Sequence, residues 1–214
     1  MSFQRLYELF AENGFSLYLV GGTVRDYLLN LPLTDLDVVS DATPKEMKMF
    51  LPKANYVFAK YGSVKLIYDN FKFDITTLRK EDDYVDSRHP NKIRFCKSLK
   101  EDVYRRDFTI NALYMDHNGK IYDYVNGQAD IENKVIRVVG NIDKKMTEDP
   151  LRMVRAIRFS ISLGFKIDDE LFTYIYQNKT LLQKLNIAKI KQEINKCSDK
   201  EKIILYLNEL GVLC

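Results

Sequence analysis

Asp35 and Asp37 stand two positions apart in a short apolar segment, Asp35-Leu36-Asp37-Val38-Val39. Side chains at i and i+2 of a strand leave the same face, so these two carboxylates would project side by side. Adjacent carboxylates repel unless a cation sits between them. Magnesium held by one or two carboxylates and by substrate phosphates is the usual arrangement in phosphoryl-transfer sites. Upstream, Gly21-Gly22 closes the apolar segment Leu19-Val20 and leads into Thr23-Val24-Arg25-Asp26. Without a Cβ, the Gly22 backbone can approach a phosphate closely and donate its N–H. A helix opening near Thr23 adds its positive end, and Arg25 would supply a charged fork. Together these residues point to nucleotidyl transfer.

The elements that must hold them are legible as patterns. Phe3 to Glu12 reads as an amphipathic helix ended by Gly14, and Phe15 to Val20 as a strand. Val24 to Asn30 reads as a helix and Asp37 to Ser40 as a second strand. Thr43-Pro44 has the form of an N-cap with proline at the first helical position, opening a helix to about Leu51. Val64 to Tyr68 and Phe71 to Thr77 read as strands joined by a tight Asp69-Asn70 turn. In the second, Phe71, Phe73 and Ile75 alternate with Lys72, Asp74 and Thr76, which puts Asp74 on the polar face. The stretch 79–100 is polar and lacks a sustained period, so most of it reads as a long loop. Ala112 to Met115 and Lys120 to Tyr124 flank a His117-Asn118-Gly119 hairpin. Beyond Gly140-Asn141 the pattern is helical, over roughly 147–163, 168–178, 180–196 and 200–210.

Composition bounds the answer without choosing it. The 214 residues suit one large domain or two small ones, and 46% hydrophobic content supports a substantial core. A formal net charge of +3 is too small to argue nucleic-acid binding from the total. Cys96, Cys197 and Cys214 are widely spaced, with no CxxC pair, so neither a zinc site nor a disulfide framework is indicated. His89 and His117 are too scattered for a histidine metal site. No segment reaches membrane-spanning length, and a reducing cytoplasm is the default expectation.

Taken singly, these residues have plainer readings. Asp35 and Asp37 could be turn and cap residues, and Asp74 a solvated strand residue. Arg152, Arg155 and Arg158 could form an exposed helix face behind Glu148 and Asp149, acids suited to a first turn. Lys184, Lys189, Lys191, Lys196, Lys200 and Lys202 read first as surface charge, with a grip on RNA phosphates as the alternative. The mixed charges from Arg79 through Arg88, Lys92, Arg94 and Lys97 to Lys100 read as a solvated loop.

Three ordered blocks go further. Gly21-Gly22-x-Val24-Arg25-Asp26 with Asp35-x-Asp37 resembles the first motif of the tRNA nucleotidyltransferase and poly(A) polymerase family, class II of the polymerase β superfamily. Arg105-Arg106-Asp107-Phe108-Thr109-Ile110-Asn111-Ala112-Leu113 resembles its second motif, and Glu148-Asp149-Pro150-Leu151-Arg152 through Arg155 to Arg158-Phe159 resembles its base-reading motif. The resemblance implies an α+β fold: a polymerase β-like nucleotidyltransferase head of mixed sheet flanked by helices over 1–139, then an all-helical neck over 140–214. It implies that Asp35 and Asp37 hold two magnesium ions, with Asp74 the third catalytic carboxylate. Gly21, Gly22 and Arg25 would contact the triphosphate, with Arg106, Asp107 and Asn111 near sugar and phosphates. Asp149 and Arg152 would read the Watson–Crick edge of CTP or ATP, with Arg155 and Arg158 as phosphate or base contacts. Steps of three drift about 60° around a helix, so Asp149 and Arg158 cannot share one narrow face.

The implied activity is addition of C, C and A to tRNA 3′ ends. CC-only addition, A-only addition and polyadenylation are the related alternatives, and a non-catalytic RNA-binding module is the alternative from another class. Full-length relatives carry helical body and tail domains beyond the neck; the expectation here is a chain without them, in which a partner subunit or dimer could supply RNA grip. The resemblance also implies that the loop at 79–100 helps order the site between nucleotides.

Overall fold

The computed structural model describes residues 2–84 and 90–212, excluding the side chains of residues 2, 82–84, 90–92 and 184. Arg88 and His89, and the side chains of Lys92 and Lys184, therefore lie outside the described residues. The chain divides into two compact units: Met1–Asp82, Lys92–Arg106 and Ile110–Gln128 form the first, and Asp83–Asn91, Asp107–Thr109 and Ala129–Cys214 the second.

In the first unit, α1 (Ser2–Glu12) precedes β1 (Leu17–Val20), α2 (Gly22–Leu28), β2 (Asp35–Ser40) and α3 (Pro44–Phe50). β3 (Ser63–Tyr68) and β4 (Phe71–Thr77) follow, then α4 (Leu99–Asp102), and later β7 (Tyr114–Met115) and β8 (Ile121–Tyr122), while β5 (Arg79–Tyr84) and β6 (Pro90–Phe95) each have residues in both units. A six-stranded mixed sheet runs β3-β4-β2-β1-β7-β8. β2 and β4 are parallel, while β1 pairs antiparallel with β2 and with β7. Val38, Val64, Phe73, Ile75 and Leu113 are buried with Leu6 and Phe10 of α1. Thr43 caps α3 through a complete capping box with Glu46, with Pro44 at its start. Asp69 and Asn70 both take positive φ, as a two-residue hairpin turn requires.

The second unit is mainly helical. α5 (Gly127–Glu132) leads into it, followed by β9 (Val135–Ile136), α6 (Ile142–Glu148), α7 (Leu151–Leu163), β10 (Lys166–Ile167), α8 (Asp169–Gln177), α9 (Ile187–Asn195) and α10 (Lys200–Glu209). β9 and β10 pair in parallel. α7 buries Met153, Val154, Ala156 and Ile157 and ends at Gly164 in the left-handed region.

Three expectations need correction. The stretch 79–100 is not mostly loop: β5 and β6 form a two-stranded sheet and α4 follows. Arg79-Lys80-Glu81-Asp82-Asp83 is polar throughout, so no alternation marked it as strand. The helix expected over 147–163 is two helices. Pro150 bars the preceding residue from helical geometry, and Asp149 takes φ −149° and ψ 92°. The helix expected over 180–196 is a 3₁₀ segment, Lys179–Lys184, and then α9. Asn186 starts α9 by accepting the Ala188 N–H at 2.8 Å.

Candidate active site

In the first unit the β2–β4 register pairs Asp37 with Asp74, and Asp35 with Lys72. Directly paired residues of neighbouring strands share a face, so Asp35, Asp37 and Asp74 lie on one side of the sheet while Leu36, Val38, Phe73 and Ile75 fill the other. The Asp37 backbone N–H donates to Thr23 Oγ1 at 2.8 Å, which ties β2 to the first turn of α2. Asp37 is solvent-accessible but closely walled by protein, and its pKa is raised. Desolvation contributes most, then repulsion from Asp74; Arg106 and Arg25 pull the other way, and Asp35 adds a smaller upward push.

The glycine turn faces this carboxylate. Gly21 has φ 65° and ψ −131°, a conformation open essentially to glycine alone. A Cβ there would stand 3.7 Å from Asp37 Oδ2, 3.8 Å from Arg106 Nη1 and 3.9 Å from the Asn111 carbonyl. On Gly22 it would stand 3.4 Å from Arg25 Nη2 and 3.7 Å from Asp37 Oδ2. Gly21→Ala is expected to lower unfolding free energy by about 1–3 kcal/mol, the scale of a residue forced into a disfavoured backbone region. Urea denaturation of the two proteins checks this, and equal midpoints would refute it.

Arg25 is buried and donates Nη1 to Asn111 Oδ1 at 2.6 Å and Nε to Asp26 at 2.8 Å. Arg106 is held by Asp102 and the Tyr114 hydroxyl. Gly21, Gly22, Arg25, Arg106 and Asn111 thus gather beside Asp37. Sequence reasoning missed Thr23, Asp102 and Tyr114. Only Asp102 left a local signal, an acid four residues before Arg106 in a helical turn.

Asp107 follows Arg106 in the chain but belongs to the second unit. There it accepts from Arg155 Nε at 2.8 Å and Nη2 at 2.5 Å. Burial would raise its pKa, but Arg155 and the Phe108 N–H outweigh burial and bring it down to about 2. Asp149 accepts the Leu151 N–H at 3.1 Å ahead of α7. Arg152, in the first turn, is buried and donates Nη1 to the Lys145 carbonyl at 2.8 Å, with Glu148 at 3.4 Å. Arg155 and Arg158 both approach Glu193 of α9, at 3.8 and 2.8 Å, and the Arg158 guanidinium lies 3.9 Å from the Phe159 ring centroid. Burial opposes ionisation of Glu193, but Lys196, Arg155 and Arg158 together lower its pKa. Glu193 gave no sequence signal, because its partners on α7 are remote in the chain.

The three carboxylates of the first unit are oxygen donors of the kind that hard divalent cations take, and the repulsion acting on Asp37 is what a cation would relieve. The donor set fits. As placed, Asp74 is ion-paired with Lys65 at 3.1 Å. No three His, Cys, Asp or Glu side chains among the described residues converge closely enough to hold an ion.

Residues 17–137 match the family model described as the poly A polymerase head domain. The chain belongs to this family. Its sheet and helices match the nucleotidyltransferase head of CCA-adding enzymes, as in the Bacillus stearothermophilus CCA-adding enzyme solved in complex with CTP. That similarity has a TM-score of 0.87 and 33% identity over 99% of this chain and 52% of the other. Among curated relatives, the CCA-adding enzyme of Ligilactobacillus salivarius is 45% identical over 87% of this chain and 46% of its own length. That of Enterococcus faecalis is 42% identical over 94% of this chain and 48% of its own. The chain therefore spans about half the length of the curated relatives it matches. The nucleotidyltransferase family generally uses divalent metals. No helix among the described residues is long and apolar enough to cross a membrane.

Proposed function

We propose that this chain is the catalytic part of a template-independent tRNA nucleotidyltransferase that adds C, C and A to tRNA 3′ ends from CTP and ATP. One observation carries the reading: Asp35, Asp37 and Asp74 share a sheet face beside the Gly21–Gly22 turn. In the proposal Asp35 and Asp37 hold two magnesium ions, and Asp74 is the third catalytic carboxylate. The ions would supply activation of the RNA 3′-hydroxyl and charge neutralisation at the α-phosphate and leaving pyrophosphate.

The protein's own groups do the rest. Gly21 and Gly22 leave room for phosphate oxygens against the backbone. Arg25 and Arg106 neutralise the triphosphate, and Asn111 holds Arg25 in place. Asp107 fixes Arg155, and Arg158 is held with it by Glu193. Asp149 accepts from the exocyclic amine that C and A possess and U lacks, and Arg152 donates to a ring nitrogen or carbonyl. We assign the head to 1–139, the neck to 140–214 and the working compartment to the cytoplasm.

The test supplies magnesium, CTP and ATP with tRNA ending before CCA, after C and after CC. Extension of all three to CCA is expected. No extension by folded protein, alone or with an added partner subunit, overturns the reading. A second reading, polyadenylation, is favoured by the description of the matching family model. It predicts continued addition of A beyond the CCA end in the same assay.

A further inference from the structure

Asp102 is fully buried in the first unit, yet it has no place in the chemistry proposed above. Its Oδ1 accepts from the Arg79 backbone N–H at 3.0 Å and from Arg105 Nε at 2.7 Å. Its Oδ2 accepts from Arg106 Nε at 3.1 Å, Arg106 Nη2 at 2.9 Å and the Tyr114 hydroxyl at 2.8 Å. Tyr114, also fully buried, receives Arg106 Nε on the same hydroxyl at 3.0 Å. The Arg106 guanidinium carbon also lies 5.0 Å from the Tyr114 ring centroid.

The arginine is thus fixed through two of its three nitrogens and along one face of its plane. The third, Nη1, is directed at the glycine turn, 3.8 Å from where a Gly21 side chain would begin. Tyr114 is itself registered to that turn: β7 pairs it with Val20, and the Gly21 N–H donates to the Leu113 carbonyl at 3.3 Å. A free arginine side chain samples many rotamers, and holding it in the bound geometry beforehand strengthens the contact it makes later.

We propose that Asp102 and Tyr114 are positioning residues for triphosphate binding. They hold Arg106 so that its one outward nitrogen meets a phosphate oxygen at the Gly21 turn. This rests on the nucleotidyl-transfer reading above. Neither residue touches the nucleotide. Their effect passes through Arg106 and is therefore an effect on KM.

The test is a double-mutant cycle on the full chain with Tyr114→Phe and Arg106→Gln, read as KM and kcat for CTP and ATP in magnesium. Tyr114→Phe alone is expected to raise KM about five- to tenfold with kcat within about twofold. In the Arg106→Gln background the same change is expected to leave KM unaltered, because its only route to the nucleotide is gone. A merely structural tyrosine would lower the melting temperature equally in both backgrounds and show no such coupling. If Tyr114→Phe folds poorly, Asp102→Asn in the same cycle gives the same decision. An unchanged KM in the single variant overturns the proposal, as does an equal loss in both backgrounds or a fall in kcat alone. A wild-type protein that neither binds nor incorporates CTP or ATP overturns the nucleotidyl-transfer reading itself. An active wild type with an uncoupled Tyr114 overturns only the positioning role.

Discussion

Asp37→Asn is expected to cut nucleotide incorporation about a thousandfold or more, while leaving the melting temperature equal to or above that of the wild type. Loss of rate follows from removing the carboxylate at the centre of the acidic face. The stability half follows from the raised pKa of Asp37, set first by desolvation and then by Asp74. A group whose folded-state pKa lies above its unfolded value contributes fully below the unfolded pKa. That contribution is lost as pH rises through the folded pKa. At neutral pH the ionised carboxylate therefore works against folding, and a neutral amide of the same shape removes the penalty. Magnesium should raise the wild-type melting temperature more than that of the variant, since only a protein that binds the ion gains from it. Single-turnover extension and thermal melts with and without magnesium measure both halves. Wild-type rates in Asp37→Asn would refute the assignment.

Asp107→Ala is expected to act oppositely, through stability first. It would strip Arg155 of a doubly bonded, mostly buried partner. Removing one member of such a pair costs about 3 kcal/mol or more, because the remaining charge keeps its desolvation cost. The pH dependence has a definite sign. Burial opposes the charge, but Arg155 brings the Asp107 pKa down to about 2. A depressed carboxylate contributes above its unfolded pKa and loses that contribution as pH falls through the folded value. About 2 kcal/mol of stability should therefore disappear between about pH 4 and pH 2. Urea midpoints for wild type and variant should differ widely at pH 7 and draw together near pH 2. Coincident midpoints at pH 7 would refute the pairing.

Local signals carried much of the architecture. The Thr43-Pro44 cap, the Asp69-Asn70 turn and the alternation through Phe73 and Ile75 are each written in a few consecutive residues and are present in the structure, although Phe71, at the start of the strand, is exposed. The face assigned to Asp74 followed from that alternation. Its partnership with Asp37 did not, because a parallel register joins segments whose pairing no local pattern specifies. The charged strand Arg79–Tyr84 carried no period to read. Pro150 stands inside the span 147–163 that the sequence pattern predicts as helix. The restriction on Asp149 is a backbone effect, which a reading of apolar spacing overlooks. Glu193 was silent, and Asp102 showed only as an acid four residues before Arg106, for a shared reason. Each is a buried acid whose meaning lies in the arginines folded around it.

The sheet register has a consequence for how mutations on the other side would reveal themselves. Sliding β4 by one residue against β2 would bury Asp74 and expel Phe73 and Ile75 into water. The greasy side of the strand pair thus acts as a vernier that keeps the acidic side in alignment. Trimming Val38 or Ile75 to alanine would loosen that calibration, and turnover should fall at temperatures where the bulk of the protein still stands.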